Sequence, residues 1–255
     1  MIFTDTHTHL YAAEFDDDRN EIIQRAIDKG VTNFMLPNID EASIDPLHKL
    51  CDQWPENMYP MMGLHPSSVQ ENYKTQLSGI FDYLQNRKYY AIGEIGIDLY
   101  WDTSLEKEQR KAFRMQCETA VEKDLPVVIH MRNSYDAVIE EIKDYNSSRL
   151  GGIFHCFTGT ETQAKEIINL GFSIGIGGVL TFKNARLSKE ILNIPIEKIV
   201  LETDSPYLSP HPFRGKRNES SHIPLIARIL ADIKNMTIEQ VAEITTANAK
   251  QIFRF

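Results

Sequence analysis

Short apolar runs alternate with amphipathic stretches along this chain. Eight runs read as strands: Ile2–Asp5, Thr32–Leu36, Met58–Met62, Ala91–Gly93, Pro126–Ile129, Gly152–Phe154, Phe172–Ile176 and Lys198–Leu201. The stretches between them carry helical spacing. In Asp18–Gly30, Ile22, Ile23, Ala26 and Ile27 share one face and Gly30 supplies the stop. In Leu105–Lys123 the shared face is Ala112, Phe113, Cys117, Ala120 and Val121. Shorter helices fill Ile44–Cys51, Thr160–Leu170 and Ser188–Leu192. A last helix opens on a capping box, Thr237-Ile238-Glu239-Gln240, and runs to Phe253. Strand–helix units repeated this way predict an α/β chain folded as a parallel (β/α)8 TIM barrel, one domain spanning residues 1–255. An open doubly wound sheet would want a Gly-rich phosphate loop after its first strand, and none is there.

Composition narrows the class without naming an activity. A hydrophobic share of 42% with 25% charged residues is ordinary for a soluble globular domain. No run approaches the roughly 20 apolar residues of a membrane span. The N-terminus runs into its first strand without a basic leader or small-residue cleavage site, so a cytoplasmic protein is expected. Three widely spaced cysteines, Cys51, Cys117 and Cys156, imply neither a disulfide framework nor a thiolate metal site. Cys156 directly follows His155, and on a strand it should face the other way, toward core packing. A net charge of −9 argues against tight electrostatic binding to nucleic acid. It does not exclude an enzyme of nucleic acids, because bound divalent ions place positive charge where it is needed.

The chemistry gathers where strands end. His7 and His9 follow the first run two residues apart, a spacing that aims two imidazoles into one volume on a strand. Glu94, His130, His155 and Asp204 follow the fourth, fifth, sixth and eighth runs, and His65 follows the third. In a parallel barrel the strand C-termini converge on one rim, where active sites are built. Imidazoles and carboxylates in this number suffice for two divalent ions with one carboxylate between them.

The motifs themselves resemble a known family. His7-x-His9, Gly63–Pro66, Gly93–Gly96, Ile129-His130-x-Arg132 and Glu202–Pro206 look like the signature of TatD-type metal-dependent deoxyribonucleases, barrel members of the amidohydrolase group. Tyr100-Trp101-Asp102, Gln109, Phe113, Phe154–Gly159, Arg214-Gly215-Lys216 and Asn218-Glu219 extend the match over nearly the whole chain. One departure is Asn218-Glu219-Ser220-Ser221, where the family often has proline after the glutamate. The resemblance implies that His7, His9 and Asp204 hold one ion, that His130 and His155 hold a second, and that Glu94 bridges the pair. The ions would be Mg, Mn or Zn. The implied activity is hydrolysis of DNA by a two-metal-activated water, as a 3'-5' exonuclease on single-stranded or end-accessible DNA. Glu94 and Asp204 would be the catalytic carboxylates, and Asp204 would orient the attacking water or take its proton. DNA would be a transient partner and the protein a monomer.

Other residues carry two readings each. His65 could contact a phosphate or act as an acid, or it could be a turn residue ahead of Pro66. Arg132 could neutralise a phosphate oxygen or form a rim salt bridge. Arg214, Lys216 and Arg217 could meet a phosphate backbone or form a solvated face. Tyr100 and Trp101 could stack on a base or pack on a neighbouring loop. Asp5 could support a histidine or stabilise its strand end. His48 reads as a surface residue, and His211 and His222 carry no assignment. Two further functions remain in play: a metal-dependent hydrolase of a small lactone, amide or phosphotriester, and a metal-binding protein without catalysis. A glutamate at position 94, where many such hydrolases use a carboxylated lysine, leans toward the nuclease branch.

Overall fold

Each of the eight apolar runs forms a strand. The computed structural model describes residues 1–145, 149–184 and 186–255. The strands are β1 (Phe3–Asp5), β2 (Val31–Leu36), β3 (Met58–Pro60), β4 (Ile92–Asp98), β5 (Val127–Arg132), β6 (Gly152–Phe154), β7 (Phe172–Ile176) and β8 (Ile199–Leu201). All pair in parallel, in two groups ordered β1-β2-β3 and β4-β5-β6-β7-β8. Single bridges join the groups: Met62 to Ile92 on one side and Thr8 to Ser205 on the other. The strand order therefore closes on itself. Closure leaves no sheet edge open, and the chain is a TIM barrel.

Helices lie between consecutive strands: α1 (Arg19–Asp28), α2 (Glu41–Gln53), α3 (Tyr73–Tyr83), α4 (Glu106–Lys123), α5 (Tyr135–Ile142), α6 (Glu161–Asn169) and α7 (Leu187–Glu190). After β8 come α8 (Ile223–Lys234) and α9 (Ile238–Phe253). Capping boxes start α2 at Asp40, α6 at Thr160 and α9 at Thr237, so each first turn has its free N–H groups partly satisfied. Among the described residues, no helix is long and apolar enough to cross a membrane.

Strand alternation divides the core in two. Phe34, Leu36, Val127, Ile129, Phe154, Ile174 and Leu201 face outward under the helices. Met35, Met61, Ala91, Val128, Ile153 and Val200 fill the barrel interior, and Ala249 and Phe253 of α9 pack with them. Two residues beyond the interior positions Val128, Ile153 and Val200 lie His130, His155 and Glu202. Side chains two apart share a face, so the polar layer at the rim stands directly on this apolar floor.

Strand β4 departs from the expected boundary. It runs on past Gly93 to Asp98, because Ile95–Asp98 pair with Ile129–Arg132 of β5. A register irregularity between Ile92 and Ile95 changes the parity of the strand. Ala91 and Glu94, three apart, thereby both face inward. Further along, Gly96 has φ +144, and a Cβ there would sit 2.0 Å from the His130 carbonyl oxygen. Only glycine allows β4 and β5 to approach this closely at the rim.

Candidate metal centre

A cavity of about 680 Å³ opens at the C-terminal rim, lined by His9, His65, Glu94, His130, His155 and Asp204 among others. Glu94 lies at its centre, 3% exposed. Its carboxylate divides its oxygens between two sets of imidazoles. Oε2 lies 3.0 Å from His7 Nε2 and 3.8 Å from His9 Nε2. Oε1 lies 2.8 Å from His130 Nδ1, 2.9 Å from His155 Nε2 and 3.3 Å from His65 Nε2. Asp204 Oδ1 faces the first set, 3.4 Å from His9 Nε2 and 3.8 Å from His7 Nε2. The His7 and His155 rings stack at 3.8 Å between centroids.

The inward nitrogens are aimed from behind by a second ring of polar groups. His130 Nε2 meets Asp98 Oδ2 at 2.9 Å. His155 Nδ1 lies 3.5 Å from Glu202 Oε1, and His9 Nδ1 lies 3.0 Å from the Tyr11 hydroxyl. Glu202 fits because Gly175 has no side chain: a Cβ there would stand 2.1 Å from its carboxylate. Asp5 settles the first strand end. Its carboxylate accepts from the His7 and Thr203 amides at 3.3 and 3.0 Å and from the Thr203 hydroxyl at 2.5 Å. It thus holds the His7 backbone rather than the ring. Burial pushes its carboxyl up to about 7.

The donor set suits metal ions better than it suits itself. Both ring nitrogens of His7 are buried without a hydrogen bond, although Nε2 lies 3.0 Å from Glu94 Oε2. His155 Nδ1 and Glu202 Oε2 are likewise buried and unpaired by hydrogen bonds. Unsatisfied buried groups are costly, and one of these, His7 Nε2, faces Glu94. Donor atoms of His7, His9 and Glu94, of His7, His155 and Asp204, and of His65, Glu94 and His130 lie within 4.8 Å of one another in each group. Burial alone would raise Glu94, but His155, His65, His7 and His130 outweigh it and hold the carboxyl well below its usual range. Burial would lower His155 and His130, yet the facing carboxylates lift both, His155 strongly. Burial and the neighbouring His155 lower His7. The residues present therefore fit divalent ions, which would replace protons on the imidazoles.

The remaining candidates divide. His65 Nδ1 accepts from the Ser67 amide at 3.1 Å, which leaves Nε2–H as a donor into the cavity. Arg132 lines the cavity and lies over the Tyr100 ring, 3.8 Å from its centroid. Arg214 lies outside the cavity lining, stacked on Phe182 at 3.7 Å. Arg217 turns to α1, where it pairs with Asp18 at 2.5 Å. His48 is half-buried rather than a free surface residue, bonded to the Tyr89 hydroxyl at 2.7 Å. His222 stacks on Phe213 and bonds Asn218, a structural role. Cys156 is not on a strand: β6 stops at Phe154, and the chain turns through φ +48 so that Cys156 borders the cavity. Burial and the nearby Asp204 push its thiol well above the usual value. Asp98 and Tyr11 escaped the sequence reading, and Glu202 appeared in it only within its motif. Strand parity could have found Asp98, at Glu94+4, and Glu202, at Val200+2, whereas Tyr11 lies in a turn where alternation carries no signal.

A closed parallel barrel with imidazoles and carboxylates gathered at its C-terminal rim defines the class of metal-dependent hydrolases. The family described as TatD related DNase matches residues 4–254, and the chain belongs to it. An uncharacterized metal-dependent hydrolase of Bacillus subtilis, YabD, is 39% identical over 255 residues, covering 100% of this chain and 99% of that protein. The 3'-5' ssDNA/RNA exonuclease TatD of Erwinia billingiae is 28% identical, over 98% of each chain. The solved structure of YJJV, a TatD homologue from Escherichia coli, superposes with a TM-score of 0.93 at 27% identity, covering 99% of this chain and 98% of that one.

Proposed function

We propose that this hydrolase is a phosphodiesterase of DNA, a 3'-5' exonuclease acting as a cytoplasmic monomer on single-stranded or end-accessible strands. Its site takes two divalent ions, Mg, Mn or Zn. The observation that carries this reading is the division of Glu94, with one carboxylate oxygen toward His7 and His9 and the other toward His130 and His155. His7, His9 and Asp204 would hold one ion, His130 and His155 the other, with Glu94 between them. When bound, such a pair lowers the pKa of water and neutralises the attacked phosphate.

The chain's own residues supply the rest. Asp204, held low by the surrounding imidazoles despite burial, is ionised and faces the cavity, fit to take the proton of the attacking water. As the water oxygen bonds to phosphorus, the bond to the leaving 3' oxygen breaks, and that oxygen takes a proton from solvent to leave as the 3' hydroxyl. His65 Nε2–H points into the same space and can donate to a phosphoryl oxygen. Arg132 adds a guanidinium at the mouth, suited to a flanking phosphate. The divided carboxylate also supports the nuclease branch over relatives built on a carboxylated lysine.

End-labelled single-stranded and duplex oligonucleotides, incubated with a series of divalent ions, test the proposal. Stepwise shortening from the 3' end is expected, with loss of at least a thousand-fold in Glu94→Gln and Asp204→Asn, on the order of removing one essential charged group. Normal cleavage by both variants would sink the assigned site. Turnover of lactones or amides with none of oligonucleotides would replace the substrate class.

A further inference from the structure

At the mouth of the cavity, the turn after β4 carries two aromatic residues that the protein leaves uncovered. Tyr100 is 52% exposed and Trp101 is 73% exposed, the most exposed large apolar side chain in the described chain. Trp101 nevertheless lines the same cavity as Glu94 and Asp204. The two rings meet edge to face, with centroids 4.8 Å apart and planes at 88°. One face of Tyr100 is covered by the Arg132 guanidinium at 3.8 Å, and that guanidinium lies 5.1 Å from the Trp101 ring. No carboxylate among the described residues lies within ion-pair distance of Arg132, so the cation does not spend its charge on a rim salt bridge.

An exposed indole is costly to keep in water, and burying it against a neighbour would be favourable. Here it is held upright by a tyrosine whose own face is filled by a cation. We propose that Trp101, buttressed by Tyr100 and Arg132, is a nucleobase-stacking subsite for the nucleotide next to the scissile phosphate. This rests on the phosphodiesterase reading above. An aromatic face accepts any base, so the subsite grips a strand without reading its sequence. Arg132 complements it, because its guanidinium can reach a phosphate oxygen while still stacked on Tyr100. The two contacts together match the repeating unit of a single strand: one base and one phosphate. A paired base has both faces covered by its neighbours and cannot take this seat, so the subsite favours single strands and frayed ends.

The chain has two tryptophans, and the other, Trp54, packs against the core. In Trp54→Phe, indole fluorescence therefore reports Trp101 alone. The metal-loaded variant is titrated with a phosphorothioate oligothymidylate, and with an abasic phosphorothioate oligomer of the same length. Quenching by the first is expected, with binding of the second weaker by roughly five- to a hundred-fold. Trp101→Ala, followed by fluorescence anisotropy of labelled oligomers, should bind the two oligomers equally. Absent quenching, or equal affinity for both oligomers in Trp54→Phe, would overturn the subsite; if end-labelled oligonucleotides were still degraded, the phosphodiesterase reading would stand. Loss of both binding and degradation would remove the two together.

Discussion

Tyr11 shows how much a single hydroxyl can decide. Its only proton goes to the Pro37 carbonyl at 2.6 Å, an atom that can only accept. The phenol oxygen must then accept from His9 Nδ1, 3.0 Å away, so that nitrogen carries the ring proton and Nε2 presents its lone pair to the cavity. Burial and the Glu94 charge push the phenol well above its usual value, which keeps the donor protonated at any working pH. Tyr11→Phe leaves the ring in place and frees the tautomer. Affinity for the ion proposed at His7, His9 and Asp204 should fall by roughly ten- to a hundred-fold, leaving the proposed His130–His155 position nearly unchanged. Metal competition titration with a chelator would measure both affinities, and nitrogen NMR of His9 would report the tautomer directly. Equal affinities in the two proteins would deny Tyr11 this part. The six inward ligand candidates were legible in sequence because each follows an apolar run, although Glu94 and His130 sit within β4 and β5 rather than at their ends. Their supports were not, since Asp98, Glu202 and Tyr11 look like ordinary polar residues until the strand parity and the path of the neighbouring chain are known.

Among the elements, the strands were the easiest to read, because parallel strands covered on both faces are short and continuously apolar. Helices α3, α5 and α8 were harder. In α8, Ile223 to Leu230 is apolar on most sides, and Pro224 looks like a breaker although it sits harmlessly in the first turn. The end of β4 was misplaced because Glu94, Gly96 and Asp98 are polar or small, while the pairing with β5 that extends the strand is invisible locally. The long connection between β8 and α8 depends on distant partners as well. Glu219 in that connection receives Arg25 of α1 through Nε and Nη2, at 3.1 and 2.8 Å. Burial would raise the Glu219 carboxyl, but the bonds from Arg25 and Ser221 outweigh it and hold it below its ordinary value of 4.5. The folded state thus releases this proton more readily than the unfolded chain. The contribution is fully present above the unfolded value and is lost as pH falls through the lower folded value. Arg25→Met should cost about 0.5–1 kcal/mol at pH 7, a surface-pair magnitude because Arg25 is half exposed. Urea denaturation at pH 7 and again below pH 4 should show the difference shrinking. A penalty that grew in acid would mean that Arg25 contributes through packing instead.

For the whole molecule, the metal centre and the barrel are one energetic unit. Residues from β4 and β5 and from the segments after β1, β3, β6 and β8 meet around Glu94, so the cluster draws on strands from both groups that closure must bring together. Glu94, Glu202 and Asp98 raise the proton affinities of His155 and His130, so protons compete for the nitrogens that ions would use. Each ion that binds the folded chain and not the unfolded one stabilises it by about 2.7 kcal/mol at a hundred times its Kd. For a chain of this size that raises Tm by roughly 5–11 °C, at about 2–4 °C per kcal/mol. Chelation should remove the gain. The dependence on pH has a definite sign: ions must displace imidazole protons, so the stabilisation shrinks as the pH is lowered and protons hold the ligands more tightly. Calorimetry with and without chelator, at pH 8 and at pH 6, is expected to show the larger shift at pH 8. Glu94→Gln should abolish most of it, because the amide cannot supply an anionic oxygen to either set of imidazoles. A Tm indifferent to chelation at both pH values, in protein shown by elemental analysis to have lost its ions, would mean that closure of the barrel does not draw on the centre at all.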